Sequence, residues 1–154
     1  MIYIALTADY ELFFGKNFLS YDDVLFKPTQ KMLDRLAKYD MPLNIFPDIC
    51  SVWRHKDLGI FEYTDKFEAQ MIEAISNGND VQLHLHPHWL SSEYDGEDWI
   101  HNQKKFRLQD FGFDDNELVS AGKIIREGKE YLENLLTKYY PEYKCIAFRA
   151  GGYC

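Results

Sequence analysis

The sequence has few cysteines, few basic side chains and no long apolar run. Its three cysteines, Cys50, Cys145 and Cys154, are odd in number and widely spaced, which excludes a paired disulfide framework and a CxxC metal site. Lys and Arg number 17 against 25 Asp and Glu, which gives a net charge of -8. This charge repels phosphate backbones, so nucleic acid is not an expected partner.

The sequence also lacks features of exported and membrane proteins. No basic leader precedes the first apolar residues, and no stretch approaches the ~18 apolar residues that a membrane span needs. We therefore expect no membrane span and a cytoplasmic location with reduced thiols. Hydrophobic residues make up 46% of the chain and aromatic residues 16%, too much apolar surface for a disordered chain. One domain covering residues 1–154 is expected.

Short apolar runs alternate with longer segments of helical period, which predicts an α/β fold with a parallel sheet. Four strands are predicted, at 2–6, 43–46, 81–85 and 145–148. The first strand is expected to be apolar on both faces, as in a sheet covered on both sides. Helices are predicted after the capping residues Thr29 and Thr64 and over 116–139. The charged, aromatic segment 89–115 is predicted to form a lid.

Polar clusters stand at the carboxyl ends of predicted strands, where α/β enzymes place their sites. The first is TADYE at 7–11, in which Asp9 can act as a base while Glu11 holds a cation, or the reverse. An acidic pair alone is more often a solvated turn.

The third cluster is FRAGGY at 148–153. An arginine leaving a buried strand is costly unless it meets a carboxylate, and the two glycines allow the turn that aims Arg149 at one.

The second cluster, QLHLHPHW at 82–89, is a candidate metal site. Imidazole is the commonest ligand for zinc and related divalent metals. His84 and His86 share a strand face, while Pro87 bends the chain so that His88 can return toward His84. A surface histidine tract is the simpler alternative, but the apolar neighbours favour burial. The three clusters together suggest metal-assisted hydrolysis.

These clusters resemble the motifs of the polysaccharide deacetylase family, the NodB-homology domain of carbohydrate esterase family four. TADYE at 7–11 resembles its Thr-Phe-Asp-Asp-Gly motif, and HLHPH at 84–88 matches its His-Ser/Thr-x-x-His motif at the outer histidines. GNDV at 78–81 resembles the Gly-His-Glu-Ile that leads into that motif. RAGGY at 149–153 is similar to Arg-x-Pro-Tyr/Phe-Gly, with the arginine matching. Nearly the whole chain falls under the resemblance.

The resemblance implies a distorted (β/α) barrel, of which about four parallel strands are present here. It implies a hydrolase that removes acetyl groups from N-acetylated sugars of a polysaccharide or glycan precursor, with a divalent metal, expected to be zinc. Two later family motifs, one of which supplies a catalytic-acid histidine, are absent before Cys154. We therefore expect a truncated domain that hydrolyses poorly alone, and either self-association or binding of a missing carboxyl-terminal fragment.

The resemblance also implies roles for individual residues. His84 and His88 match metal ligands, Asp9 matches the general base, and Arg149 matches the residue that orients the base. A tyrosine replaces the family's second aspartate, a metal ligand, and Glu11 is the substitute expected one residue later.

Two questions stay open at this point, and one further interpretation is disfavoured. His86 is either a further ligand or a group that supports the ligands. The chain is either an enzyme or a non-catalytic remnant that binds metal or glycan. A metalloprotease is disfavoured, because no glutamate follows His84 and Pro87 opposes the helix that such a motif needs.

Overall fold

The computed structural model describes residues 1–13, 19–102, 104–114 and 119–152, and these form an α/β fold with parallel strands, as predicted. The α-helices are α1 Lys27–Ala37, α2 Ile49–Asp57, α3 Phe61–Ser76 and α4 Ala121–Leu136. The strands are β1 Leu6–Tyr10, β2 Leu43–Pro47, β3 Asp80–Val81, β4 Leu83–Leu85, β5 Glu93–Tyr94, β6 Trp99–Ile100 and β7 Phe148–Ala150. A π-helical turn covers Asp22–Phe26, and 3-10 turns cover Pro87–Ser91 and Leu108–Phe111. No helix in these ranges has the length and apolar character that crossing a lipid bilayer requires.

The parallel strands form one curved layer. β1, β2 and β3 are hydrogen-bonded in that order, and β4 pairs with β7. Only Gln82 separates β3 from β4, and its N–H donates to the Ile45 carbonyl of β2 at 2.8 Å. β3 and β4 therefore share one position in the layer, and the order across it is β1, then β2, then β3 and β4, then β7. Within the described residues these strands do not close into a barrel. β5 and β6 form a separate antiparallel hairpin.

The two faces of this layer differ in chemistry. Paired residues of parallel strands point to the same face and neighbours along a strand alternate. One face packs against the helices through Ile45, Val81, Leu83 and Leu85, each at most 1% exposed. The registers place polar side chains on the other face. That face carries Thr7, Asp9, Asn44, Phe46, His84 and Arg149, followed beyond the strand ends by Glu11, Asp48 and His86.

The polar face is concave. Arg149 on β7 hydrogen-bonds to Asp9 and Thr7 on β1. Strands three positions apart in a flat sheet are about 14 Å apart, more than these two side chains bridge. The sheet therefore curls around the polar face and brings its outer strands together over β2.

The closeness of α4 to the sheet depends on Gly128. A Cβ atom at this position would lie 2.9 Å from Leu83 Cδ1 and 3.2 Å from Leu85 Cδ2. The sequence pattern marks this glycine only as an interruption of the helical period, whereas the structure shows that it allows close packing of the helix against β4.

Two strands were predicted at the wrong positions for one physical reason. The first strand was predicted at 2–6 but is Leu6–Tyr10, and the last was predicted at 145–148 but is Phe148–Ala150. A strand with one polar face alternates apolar and polar residues, so a search for continuous apolar runs stops short of it. Residues 1–4 and Ile146 are at least 84% exposed. The self-association expected from the uncovered apolar residues at 145–148 stays a prediction.

The second strand and the helices agree more closely with expectation. The strand at 43–46 is confirmed within one residue, and the strand at 81–85 is split into β3 and β4. Thr29 and Thr64 do not cap helices, because both lie inside the first turns of α1 and α3. Ser120 caps α4 by accepting from the Lys123 N–H, and the predicted start of that helix, at 116, lies outside the described residues. α2 was not predicted.

The cysteines are consistent with reduced thiols. Cys50 and Cys145 are buried and carry free thiols. Burial raises the pKa of both thiols, which keeps them protonated and unreactive. Cys154 lies outside the described residues.

His55 is a buried neutral histidine and makes fold stability pH-dependent. Its Nδ1–H donates to the Ser51 carbonyl at 2.7 Å, its Nε2 accepts from the Tyr21 hydroxyl at 3.1 Å, and its ring stacks on Tyr63. Burial lowers its pKa from 6.5 to about 4. Between these values the unfolded chain binds the proton more tightly, so the stabilisation present above pH 6.5 is lost as the pH falls toward 4.

We therefore expect acid to destabilise the protein through His55. Between pH 7 and pH 5 this residue should remove about 2 kcal/mol from the free energy of unfolding. Urea unfolding at the two pH values should show this loss in the natural chain and a correspondingly smaller one in His55→Gln. An equal loss in both chains would show that other groups carry the pH dependence.

Candidate metal centre

Glu11, His84 and His86 converge at the carboxyl ends of β1 and β4. Their ligand atoms all lie within 4.8 Å of one another. Glu11 Oε2 lies 2.8 Å from His84 Nε2 and 2.5 Å from His86 Nε2. Both imidazoles therefore face the same carboxylate oxygen, across the concave face of the sheet.

The backbone of β7 fixes the ring of His84. His84 Nδ1 lies 2.8 Å from the Arg149 carbonyl oxygen. A carbonyl oxygen can only accept a hydrogen bond, so Nδ1 carries a proton. In the neutral ring the lone pair of Nε2 then points at Glu11. Two lone pairs repel each other at 2.8 Å unless a proton or a metal cation stands between them. A ligand histidine held through its other nitrogen by a carbonyl is the arrangement usual at metal sites.

His86 is held by its backbone and by close packing. Its N–H donates to Asp48 Oδ1 at 2.8 Å. A Cβ atom at Gly151 would lie 2.6 Å from the imidazole ring, so the glycine is needed for the ring to occupy this position. His86 Nδ1 is buried without a hydrogen-bond partner in the part of the chain that the structure describes.

The charges of these groups favour a cation. Burial opposes ionisation of Glu11, but the hydrogen bonds from His84 and His86 outweigh burial and hold the pKa of Glu11 well below its usual range. Burial also opposes charge on His86, yet the hydrogen bond to Glu11 and the charge of Asp48 raise the pKa of His86. The structure thus stabilises positive charge between these side chains, and a divalent metal carries such charge without protonation of the imidazoles.

The spacing of the ligand atoms is close to that of a zinc site. Four ligands at about 2.1 Å around a tetrahedral ion lie about 3.4 Å apart. The Glu11 oxygen is nearer than this to both imidazole nitrogens. The Glu11 side chain is 38% exposed and can withdraw by the required half to one ångström.

Asp9 and Arg149 form an ion pair beside this group. Arg149 Nη1 donates to Asp9 Oδ1 and Nη2 donates to Thr7 Oγ1 at 3.0 Å. The guanidinium carbon lies 4.1 Å above the Phe46 ring, a favourable cation–π distance. The arginine thus orients the carboxylate of Asp9, which is the contact predicted from the sequence.

His88 lies next to the converging group and is not a member of it. His88 belongs to the 3-10 turn Pro87–Ser91. Its ring centre lies 5.3 Å from that of His86, and the ring is stacked on Phe106. Burial, with the charges of His86 and His101, lowers its pKa to about 3. Of the predicted ligands, Glu11 and His84 converge. His86 completes the group, and the assignment of His88 stays a prediction.

A cleft of about 340 Å³ gives access to these side chains. Asp9, Glu11, His86 and His88 line it, together with apolar and aromatic side chains that include Phe106. It therefore presents the candidate base and two of the candidate ligands to one bound molecule. Phe106 belongs to the predicted lid segment, part of which forms the hairpin β5–β6.

Asp48 is the residue of this site that sequence reasoning missed. It is fully buried at the end of β2, and burial raises its pKa to about 6. The sequence pattern that could have identified Asp48 is its two-residue spacing from Asn44 and Phe46 on the polar face of that strand. Gln82, His84 and His86 have the same spacing.

Comparison of the chain with models of protein families, with curated proteins and with solved structures finds no match.

Proposed function

We propose that this chain is a metal-dependent hydrolase that removes acetyl groups from N-acetylated sugars of a polysaccharide or glycan precursor. One observation carries the proposal. A group of two imidazoles and a carboxylate reaches a cleft through Glu11 and His86, and the same cleft is lined by a second carboxylate, Asp9, that an arginine holds in place. Amide hydrolysis at neutral pH needs both parts, an electrophile for the carbonyl oxygen and a base for the attacking water.

Each residue has a defined task in this proposal. Glu11, His84 and His86 hold the metal, expected to be zinc, which when bound polarises the acetyl carbonyl and acidifies a water molecule. Asp9 accepts the proton of the attacking water. Arg149 keeps the Asp9 carboxylate directed at that water and compensates its charge.

A second cavity beside the cleft suits a carbohydrate. It encloses about 330 Å³, and shares Leu12, Phe13 and Trp89 with the cleft. Its walls include aromatic rings and charged side chains, a combination that packs on the apolar faces of sugar rings and hydrogen-bonds to hydroxyl groups. The main members are Tyr21, Tyr94, Trp99, Asp22, Glu62 and Lys66.

Acetate release from an N-acetylglucosamine tetramer tests the proposal. We expect slow release above the enzyme-free rate from the zinc-loaded chain, because no residue here is assigned to protonate the leaving amine, a task worth about 10² to 10⁴ in rate. Release should stop after treatment with a chelator and return when zinc is added. Zinc binding without any acetate release would favour the non-catalytic alternative, and release that survives the chelator would contradict the proposal.

A further inference from the structure

Asp48 stands between the two strands that carry the metal-binding side chains. It follows β2, and β2 separates β1, which leads to Glu11, from β4, which carries His84. It also caps α2, since Oδ1 accepts from the Cys50 N–H at 3.2 Å. The side chain is fully buried, so its contacts are made inside the protein.

Asp48 is bonded to both sides of the candidate metal centre. Its N–H donates to the Tyr10 carbonyl at 3.0 Å, and Tyr10 directly precedes Glu11. On the other side Oδ1 accepts from the His86 N–H at 2.8 Å, and the residue forms a parallel bridge with His84. One residue therefore links the chain segments that carry all three ligands.

The second carboxylate oxygen of Asp48 is available for an electrostatic role. Oδ2 is buried and has no hydrogen-bond partner within the described ranges. A buried carboxylate with an oxygen that lacks a partner costs free energy unless opposite charge lies nearby. A cation held by Glu11, His84 and His86 supplies that charge.

We propose that Asp48 is a positioning residue, which sets the separation of Glu11 from His86 and whose buried charge favours a divalent metal between them. The inference rests on the metal site of the proposed function. It assigns Asp48 no direct contact with the metal or the substrate, because its oxygens are not among the converging ligand atoms. Its effect on metal affinity is that of a group which holds a ligand in place.

Two substitutions separate the roles of Asp48. Asp48→Asn keeps an oxygen that accepts from His86 and Cys50 but removes the charge. Asp48→Ser keeps a good helix cap, yet its side chain is too short to reach the His86 N–H. Asp57→Asn, at the exposed end of the same helix, is the matched control.

Zinc calorimetry of these variants, with visible absorption of the cobalt-loaded proteins and their melting temperatures, tests the inference. Asp48→Ser should lose about 10- to 100-fold in zinc affinity, as found for groups that orient ligands, and should show an altered cobalt spectrum. Asp48→Asn should lose less affinity and keep the spectrum, and Asp57→Asn should behave as the natural chain.

The outcomes distinguish this inference from the proposed function. A purely structural role for Asp48 lowers the melting temperature but leaves zinc affinity and the cobalt spectrum of the folded variants unchanged, which would overturn the inference. If Asp48→Ser does not fold, unchanged zinc affinity in Asp48→Asn overturns the electrostatic part on its own. Failure of the natural chain to bind zinc contradicts the metal site itself.

Discussion

Replacing His86 with alanine should lower zinc affinity by at least about 100-fold, more than the loss of a group outside the ligand shell. His86 Nε2 faces Glu11 at 2.5 Å and is one of the converging ligand atoms. The same replacement at His88 should lower zinc affinity by less than about tenfold, because its ring packs on Phe106 outside the group. Calorimetric zinc titration of both variants measures the difference.

The two histidines are a matched pair. They are separated only by Pro87, and both rings contact the same cleft, so general loss of packing should affect both variants similarly. Melting temperatures measured without metal provide the control for folding. A large loss of affinity in His88→Ala together with none in His86→Ala would restore the ligand set that the sequence alone predicts.

Exchanging the two carboxylates of the site for amides should give two opposite phenotypes. Glu11→Gln should lower zinc affinity by about 100-fold or more, because a neutral amide is a poor ligand. Acetate release should be lost together with the zinc. Asp9→Asn should keep zinc affinity within about threefold, because Asp9 pairs with Arg149 and does not belong to the converging group. Its acetate release should fall to the enzyme-free rate, since a general base contributes about 10² to 10⁴.

Asp65 is an exposed carboxylate on α3, and Asp65→Asn is the control for the loss of one charge. It should retain both zinc affinity and acetate release. The assignment of roles fails if Asp9→Asn loses zinc while Glu11→Gln retains it. Persistent acetate release in Asp9→Asn with zinc bound would show that another group takes the proton from water.

The polar face of the sheet explains how much of the site could be predicted. Thr7, Asp9 and Glu11 are spaced by two residues, and this period is visible in the sequence. Because Arg149 directly follows the strand predicted at 145–148, its approach to a carboxylate could be predicted from the expected position of the strand ends. The curvature that brings β7 over β2 to β1 depends on packing of the whole layer, and no local pattern contains it.

The choice between His86 and His88 as a metal ligand depends on contacts that local sequence does not contain. His84 and His88 fit a known spacing, and Pro87 was expected to bend the chain back toward His84. In the structure Pro87 instead begins a 3-10 turn, which directs His88 toward Phe106 and His101. The contacts of His88 with His101 and Phe106 join residues 13 and 18 positions apart, and no local pattern contains them.

Asp48 could have been found from alternation but not from composition. An aspartate after a proline reads as a turn, and its burial follows only from the position of β2 between β1 and β4. Its bonds to the Tyr10 carbonyl and the His86 N–H join residues 38 positions apart in each direction. These contacts of Asp48 can be inferred only when the strand order is known.

An anomalous difference map from zinc-soaked crystals of the natural chain is the most direct measurement of the metal centre. The geometry predicts one strong peak at about 2.0 to 2.2 Å from a Glu11 carboxylate oxygen and from the Nε2 atoms of His84 and His86. A map with no peak there, or with its only peak bound by His88 and His101, would contradict the proposed site.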